Sequence, residues 1–161
     1  MVVGLLGVAF AFSIRRPWTS FPPEFVVIGT LESVERGAFA EAMKKPEGVP
    51  SYTMQVFDVG IVVPDTVLHG DPDIERIEIA WVARYRLEPP VEGCSVAGPA
   101  RDFDPGDRCI WEIWPGRPES PRRHDHIRQF ETDPLDSLPA VLRQLSAFRA
   151  WQAEREQDQG D

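Results

Sequence analysis

Two runs of apolar–polar alternation lie close together in this chain, and they restrict its fold class more than any other feature. In the first, Tyr52, Met54 and Val56 alternate with Thr53 and Gln55. In the second, Ile77, Ile79 and Trp81 alternate with Arg76, Glu78 and Ala80. Successive side chains of a strand point to opposite faces, so each run predicts a β-strand with one face buried. Leu68-His69-Gly70-Asp71-Pro72 lies between them and predicts a turn, because glycine tolerates positive φ and Asp-Pro ends a strand. The expected core is an antiparallel sheet that curls on itself.

The flanking segments extend this pattern. Phe25-Val-Val-Ile-Gly-Thr-Leu-Glu-Ser-Val-Glu35 starts continuously apolar and ends alternating, as a strand does on leaving a covered region. Gly29 inside it predicts a bulge or sharp coil. Residues 36–50 read as a loop with a helical turn around Phe39–Met43, and 83–101 as irregular. Phe103-Asp-Pro-Gly-Asp107 predicts a turn feeding a strand at Arg108–Trp114, with Cys109, Trp111 and Ile113 on one face and Ile110 on the other. Leu138, Val141, Leu142, Leu145 and Phe148 recur at helical steps, with Pro139 in the first turn, so the last element is a helix expected to dock on the barrel and close one end. The predicted division is an apolar N-terminal segment (1–20), a mainly β domain (21–114), a Pro/Arg/His-rich linker (115–135), and a C-terminal helix with a polar tail (136–161). The 16 prolines among 161 residues sit mostly outside the alternating runs, which fits short strands joined by stiff loops.

Val2–Ile14 is nearly uniformly apolar. Thirteen residues fall short of the roughly 20 a spanning helix needs, but suit a signal-peptide hydrophobic region, with Ala9-Phe10-Ala11 supplying a small-x-small site. No basic residue precedes the run, and Arg15-Arg16 follow it, so a first strand or packed apolar arm is the alternative. The expectation is an extracytoplasmic protein, exported or tethered to the membrane through this segment. The formal net charge of -9 gives no general attraction for a phosphate backbone, so nucleic acid is not an expected partner.

Three short stretches carry a resemblance. Phe25-Val-Val-Ile-Gly-Thr-Leu-Glu-Ser-Val resembles the opening strand of netrin-like domains, the OB-type barrels of the tissue inhibitors of metalloproteinases and of small exported bacterial proteins. Leu68-His-Gly-Asp resembles their Leu-Lys-Gly-Asp turn, and Phe103-x-Pro-Gly-Asp-Arg-Cys-Ile-Trp their Phe-x-x-Gly turn into a late strand. The likeness covers residues 25–114. It implies a small OB-like antiparallel β-barrel of five strands in an extracytoplasmic setting. It does not imply protease inhibition, because the inhibitors present an N-terminal cysteine to the protease zinc and neither cysteine here lies near the N-terminus.

Candidate chemistry is sparse. Cys94 and Cys109 are the only cysteines, and an even count in an exported chain favours one disulfide; two thiols, with Cys109 packed in the core, are the alternative. His124 and His126 flank Asp125, and on an extended segment they project to one side. Zinc needs three or four positioned ligands, and Arg122 and Arg123 beside the pair oppose a cation, so a solvated linker is favoured over a metal site. The scattered aspartates fit turn hydrogen bonds better than a calcium loop. Trp81, Trp111, Trp114 and Tyr85 offer an aromatic platform, although Trp81 and Trp111 sit on apolar strand faces and suit a core. Trp114, of opposite parity, is the surface candidate, together with Tyr85, His69 and Asp71. These features predict a non-catalytic binding module without a cofactor, facing a protein or cell-envelope component. The competing reading is a cytosolic metal-binding enzyme or accessory subunit using His124 and His126.

Overall fold

A computed structural model describes residues 18, 22–43, 52–89, 102–117, 119–120 and 123–158. Within them β1 (Phe25–Ala42), β2 (Tyr52–His69), β3 (Ile77–Glu88), β4 (Arg108–Trp114) and β5 (Gln129–Asp133) form one sheet in the order β3-β2-β1-β4-β5. All neighbours in it are antiparallel. A one-turn helix α1 (Arg123–His126) precedes β5, and a 3-10 turn at Leu135–Ser137 leads into α2 (Leu138–Asp158). The chain is mainly β with a C-terminal helix, the class that the alternation predicts.

β1 is apolar on both faces over Phe25–Leu31 because both faces are covered there. Phe25, Val27 and Leu31 join Val62, Ile77, Ile79, Trp81, Phe103, Cys109, Trp111 and Ile113 in the larger core. Val26 faces the other way and packs with Trp18, Ile110, Val141, Leu145 and Phe148 under α2. Burying each of the three α2 side chains contributes about 1.5–3 kcal/mol, and this stripe is the reason the helix docks. α2 therefore covers the outer face of β1 and β4 and does not plug an end of the sheet, which corrects the expected docking site. The deciding residues are Val26 and Ile110, whose parity leaves an apolar face opposite the main core.

The glycine signals behave as expected. The register of β1 against β2 shifts between Ile28 and Gly29, and a side chain at Gly29 would lie 2.8 Å from the Val63 carbonyl oxygen. The extra β2 residue there is Asp65, whose bulge lets the strand pass Pro64. Gly70 has φ +105° at the end of β2, in the predicted turn. Gly106 has φ +99° in the turn before β4, where the Asp107 N–H donates to the Asp104 carbonyl at 3.0 Å.

Four other expectations are corrected, the first being the irregular reading of 83–101, because β3 runs on to Glu88. The sheet does not close into a barrel. Its edges meet at one parallel bridge, Ile79 with Arg128, where the Ala80 N–H donates to the Arg128 carbonyl at 3.4 Å. β5 is five residues long against twelve in β3, so it cannot zip the seam. The segment read as a loop from Arg36 continues as β1 to Ala42, with Phe39 buried and stacked on Phe57 at 4.8 Å. The linker region contains α1 and β5, and Phe130 of β5 packs against the main core. Val2–Ile14 lies outside the described residues, and no helix among them is long and apolar enough to cross a membrane.

Leu145 is 2% exposed and Leu142 is 46% exposed on the same helix. Leu145→Ala is expected to lower unfolding stability by about 2–4 kcal/mol, and Leu142→Ala by less than about 0.5 kcal/mol. Urea unfolding of the two variants checks this, and equal losses would contradict the docking described here.

Candidate functional site

Asp58 is a charged residue inside the apolar run Val56-Phe57-Asp58-Val59, and it lies across from Trp81 on β3. It is 3% exposed. A buried carboxylate needs hydrogen-bond donors, and β1 supplies them by bulging. Between Glu35 and Phe39 three β1 residues face one β2 residue, and Gly37 takes φ +62°. The Gly37 N–H donates to Asp58 Oδ1 at 2.8 Å, and Arg36 Nη1 donates to Asp58 Oδ2 at 2.7 Å. The same guanidinium donates to Asp102 at 2.6 Å, to the Phe103 carbonyl at 2.7 Å and to Asp104 at 2.7 Å. Hydrogen bonds to Asp58 and then Asp102 hold Arg36 well above the ordinary arginine range, against its desolvation. One guanidinium thus ties β1, β2 and the turn before β4 together. Leu31 and Asp107 continue the tie, with the Leu31 N–H donating to the Asp107 carbonyl at 2.8 Å.

The clamp sits at the base of an arm. β4 pairs with β1 only over Phe25–Thr30. From Leu31 onward, β1, β2 and the second half of β3 continue past β4 as three strands. The turn at 102–107 holds the β1 side of this arm through Arg36 and Leu31. On the β3 side, pairing with β5 stops at Ala80. Beyond it Val82, Tyr85 and Leu87 are half-buried and Arg84 and Arg86 exposed.

The expected surface residues are not brought together. Trp114 is 6% exposed, so its role as a surface candidate is corrected; β4 is covered on both faces, by the main core and by α2. Tyr85 lies on the arm opposite Gln55, whereas His69 and Asp71 lie at the far end of β2. At about 3.3 Å per residue, Gln55 and His69 are separated by roughly 45 Å of strand. Asp71 is exposed and caps its own turn, accepting the Asp73 N–H at 3.0 Å. Trp81 and Trp111 are core residues, with Phe103 and Phe130 packed edge-on or tilted between them at centroid distances of 5.3–6.0 Å. The Trp111 N–H donates to the Gly29 carbonyl at 2.9 Å, while the enclosed Trp81 N–H has no acceptor among the described residues.

His124 and His126 fall in α1, not on an extended strand. The extended geometry on which alternate residues share a side is therefore absent at this pair. His126 is turned to the Ser120 carbonyl, and among the described residues no three His, Cys, Asp or Glu side chains are grouped to hold a metal. Cys109 is buried in the main core, and Cys94 lies outside the described residues.

Comparison with known proteins returns no matching family, no matching curated protein and no matching solved structure.

Sequence reasoning missed Arg36, Asp58 and Arg84. Asp58 carried a signal, an acid of core parity in an apolar run. Arg36 carried none, because its role comes from register, and the exposed Arg84 gained its place on the arm from strand length.

Replacing Arg36 by Gln leaves the Asp58 carboxylate buried beside one N–H donor. The expected loss is about 2 kcal/mol, below the roughly 3–5 kcal/mol of a fully buried pair because the guanidinium is 43% exposed. Adding Asp58→Asn to that variant should recover part of the loss in a double-mutant cycle, and strictly additive losses would refute the pairing.

His69 gives a pH prediction. Its ring lies 5.7 Å from Phe148, edge to face, and is hydrogen-bonded to the Pro23 carbonyl. Burial, and then the charge of Arg149, push its pKa below the usual 6.5. The unfolded chain therefore takes up a proton near pH 6.5 that the folded chain resists, and stability falls as pH drops through that value. Urea midpoints at pH 7.5 and 5.5 should fall less steeply for His69→Gln than for the unaltered chain; parallel declines would exclude His69 as the cause.

Proposed function

We propose that this protein is a non-catalytic extracytoplasmic binding module that faces a protein or cell-envelope component. The single observation that carries the binding role is the stiffened three-stranded arm. A sheet that runs past its neighbours leaves strand edges without ladder partners, and such edges are templates for another chain. The arm here is anchored at its base by a buried carboxylate and a guanidinium with four acceptors. Fixing an arm in this way lowers the ordering cost of binding, because the surface is already in its bound shape.

Export is supported by Val2–Ile14 and by the likeness of Phe25–Val34, Leu68–Asp71 and Phe103–Trp111 to exported netrin-like domains. In this reading Cys94 and Cys109 are oxidised to one disulfide, which joins the segment before the Asp-Pro-Gly-Asp turn to β4. Closing a loop of this length contributes about 3 kcal/mol in the chain-entropy description.

Intact mass of the natively expressed protein, alkylated with and without prior reduction, tests the setting. The expected result is cleavage near Ala11 and two cysteines that alkylate only after reduction in denaturant. An uncleaved chain whose cysteines both alkylate in denaturant without reduction would overturn the extracytoplasmic reading.

A further inference from the structure

We infer that the edge of β3 at Arg84–Glu88 binds an extended peptide with carboxylates at alternate positions, which joins the sheet as an added strand. This deepens the binding-module reading and rests on it.

Among the described residues the edge has no ladder partner, for a geometric reason. β3 has twelve residues and β5 has five, and among the described residues the backbone pairing on this side of β3 is the single bridge of Ile79 with Arg128, just before β5. A bulge follows, where Val82 faces Phe57 and Arg84 faces Val56, leaving Ala83 between them. From Arg84 to Glu88 the register against β2 is unbroken, residue by residue from Val56 to Tyr52. These five residues keep regular strand geometry on the side away from β2, enough for a short ladder.

The charges on this stretch choose the partner. Arg84 and Arg86 lie opposite Val56 and Met54, two residues apart, so they share a face of the sheet. Both are exposed. Arg84 makes no ion pair among the described residues, and Arg86 reaches only Glu88, at 3.7 Å. The Arg84 guanidinium lies over β2, 3.8 Å from where a side chain at Gly37 would begin, and Glu88 shares the arginines' face. An incoming strand with acids at positions i and i+2 therefore meets Arg86 directly and Arg84 once its side chain swings to the edge; its intervening side chains fall on the face of half-buried Tyr85 and Leu87.

A second copy of this chain is a poor occupant. Antiparallel self-pairing centred on Tyr85 sets Arg84 against Arg86 twice, and centring on Arg86 opposes that arginine to itself between two Arg84–Glu88 pairs, so neither register gives both arginines an acid, as an acidic strand can. The bulge and the arginines also work as guards against indiscriminate edge pairing. A guard of this kind rejects neutral, basic and self strands but not an acidic one. The net charge of -9 does not override the local sign, because at physiological ionic strength charges beyond about 8 Å are largely screened.

The test uses the full chain, isotope-labelled, and three end-blocked peptides read by amide shifts. The first alternates glutamate and valine, the second alternates lysine and valine, and the third is the first with alternate backbone amides N-methylated. The expected result is saturable shifts centred on Arg84–Glu88 with the first peptide. Binding should weaken about tenfold with the second peptide and with the Arg84→Glu/Arg86→Glu variant. N-methylation, made in two versions of the third peptide that carry the two alternate sets of amides, should weaken it in one version and not in the other. Shifts centred elsewhere, equal affinity for the acidic and basic peptides, or no saturation would overturn the inference. The lysine peptide keeps the test decisive even if the double variant fails to fold. The binding-module reading fails on a separate readout, the uncleaved chain with both cysteines alkylated without reduction, so the two failures are distinguishable.

Discussion

The structure depends on β1 being buried on both faces over its first seven residues. Val27 and Leu31 point into the main core, and Val26 points under α2. The same stretch supplies the ladder to β2 on one side and to β4 on the other. Two cores on opposite faces of one strand stabilise each other. Neither the main cluster nor the helix stripe has a surface to pack on unless β1 is in place, and β1 has no reason to be extended without its two ladders. The docking of α2, the position of Trp111 over the Gly29 carbonyl and the entry of β4 all follow from that strand.

The second half of the same strand has a different physics. Past Leu31 the β1 ladder to β4 is gone, and polar chemistry takes over from apolar burial. The bulge at Arg36–Gly37 costs regular pairing, and it is offset by two donors delivered to a buried carboxylate. Ionic and apolar stabilisation are thus divided along the strand, with the apolar part where two faces are covered. Arg128 plays a similar part at the seam: its guanidinium forks onto Glu24 at 2.9 and 3.0 Å while its carbonyl holds the single bridge to β3. The burial of these charges is incomplete, so each contributes modestly, and their effect is on which segments lie together.

Much of the fold was legible in particular residues. Ile77–Trp81 alternates because one of its faces is wet or weakly covered, and period two survives any tertiary arrangement. Gly29, Gly70 and Gly106 announced a close approach and two turns, since their constraints are local. The continuation of β1 to Ala42 was not legible, because Gly37-Ala38-Phe39-Ala40 has no alternation and helix-compatible alanines. Pairing with β2 decided it, by stacking Phe39 on Phe57. β5 was hidden for a similar reason: Gln129-Phe-Glu-Thr-Asp133 is short and polar, and Phe130 is its anchor in the core. The surface candidates fared least well, since parity alone cannot show that Trp114 is buried, or that β2 carries His69 to the opposite end from Tyr85.

The sequence by itself determined the mainly β class, the turns at Gly70 and Gly106, the C-terminal helix and its apolar stripe. These rest on periods and backbone preferences that each segment carries alone. Only the tertiary structure decided that α2 lies on the outer face, that the sheet stays open at its seam, and that Arg36 meets three aspartates from two distant segments. Those outcomes depend on relative strand lengths and register, quantities that exist only between segments, and they set which strand edge has no ladder partner among the described residues.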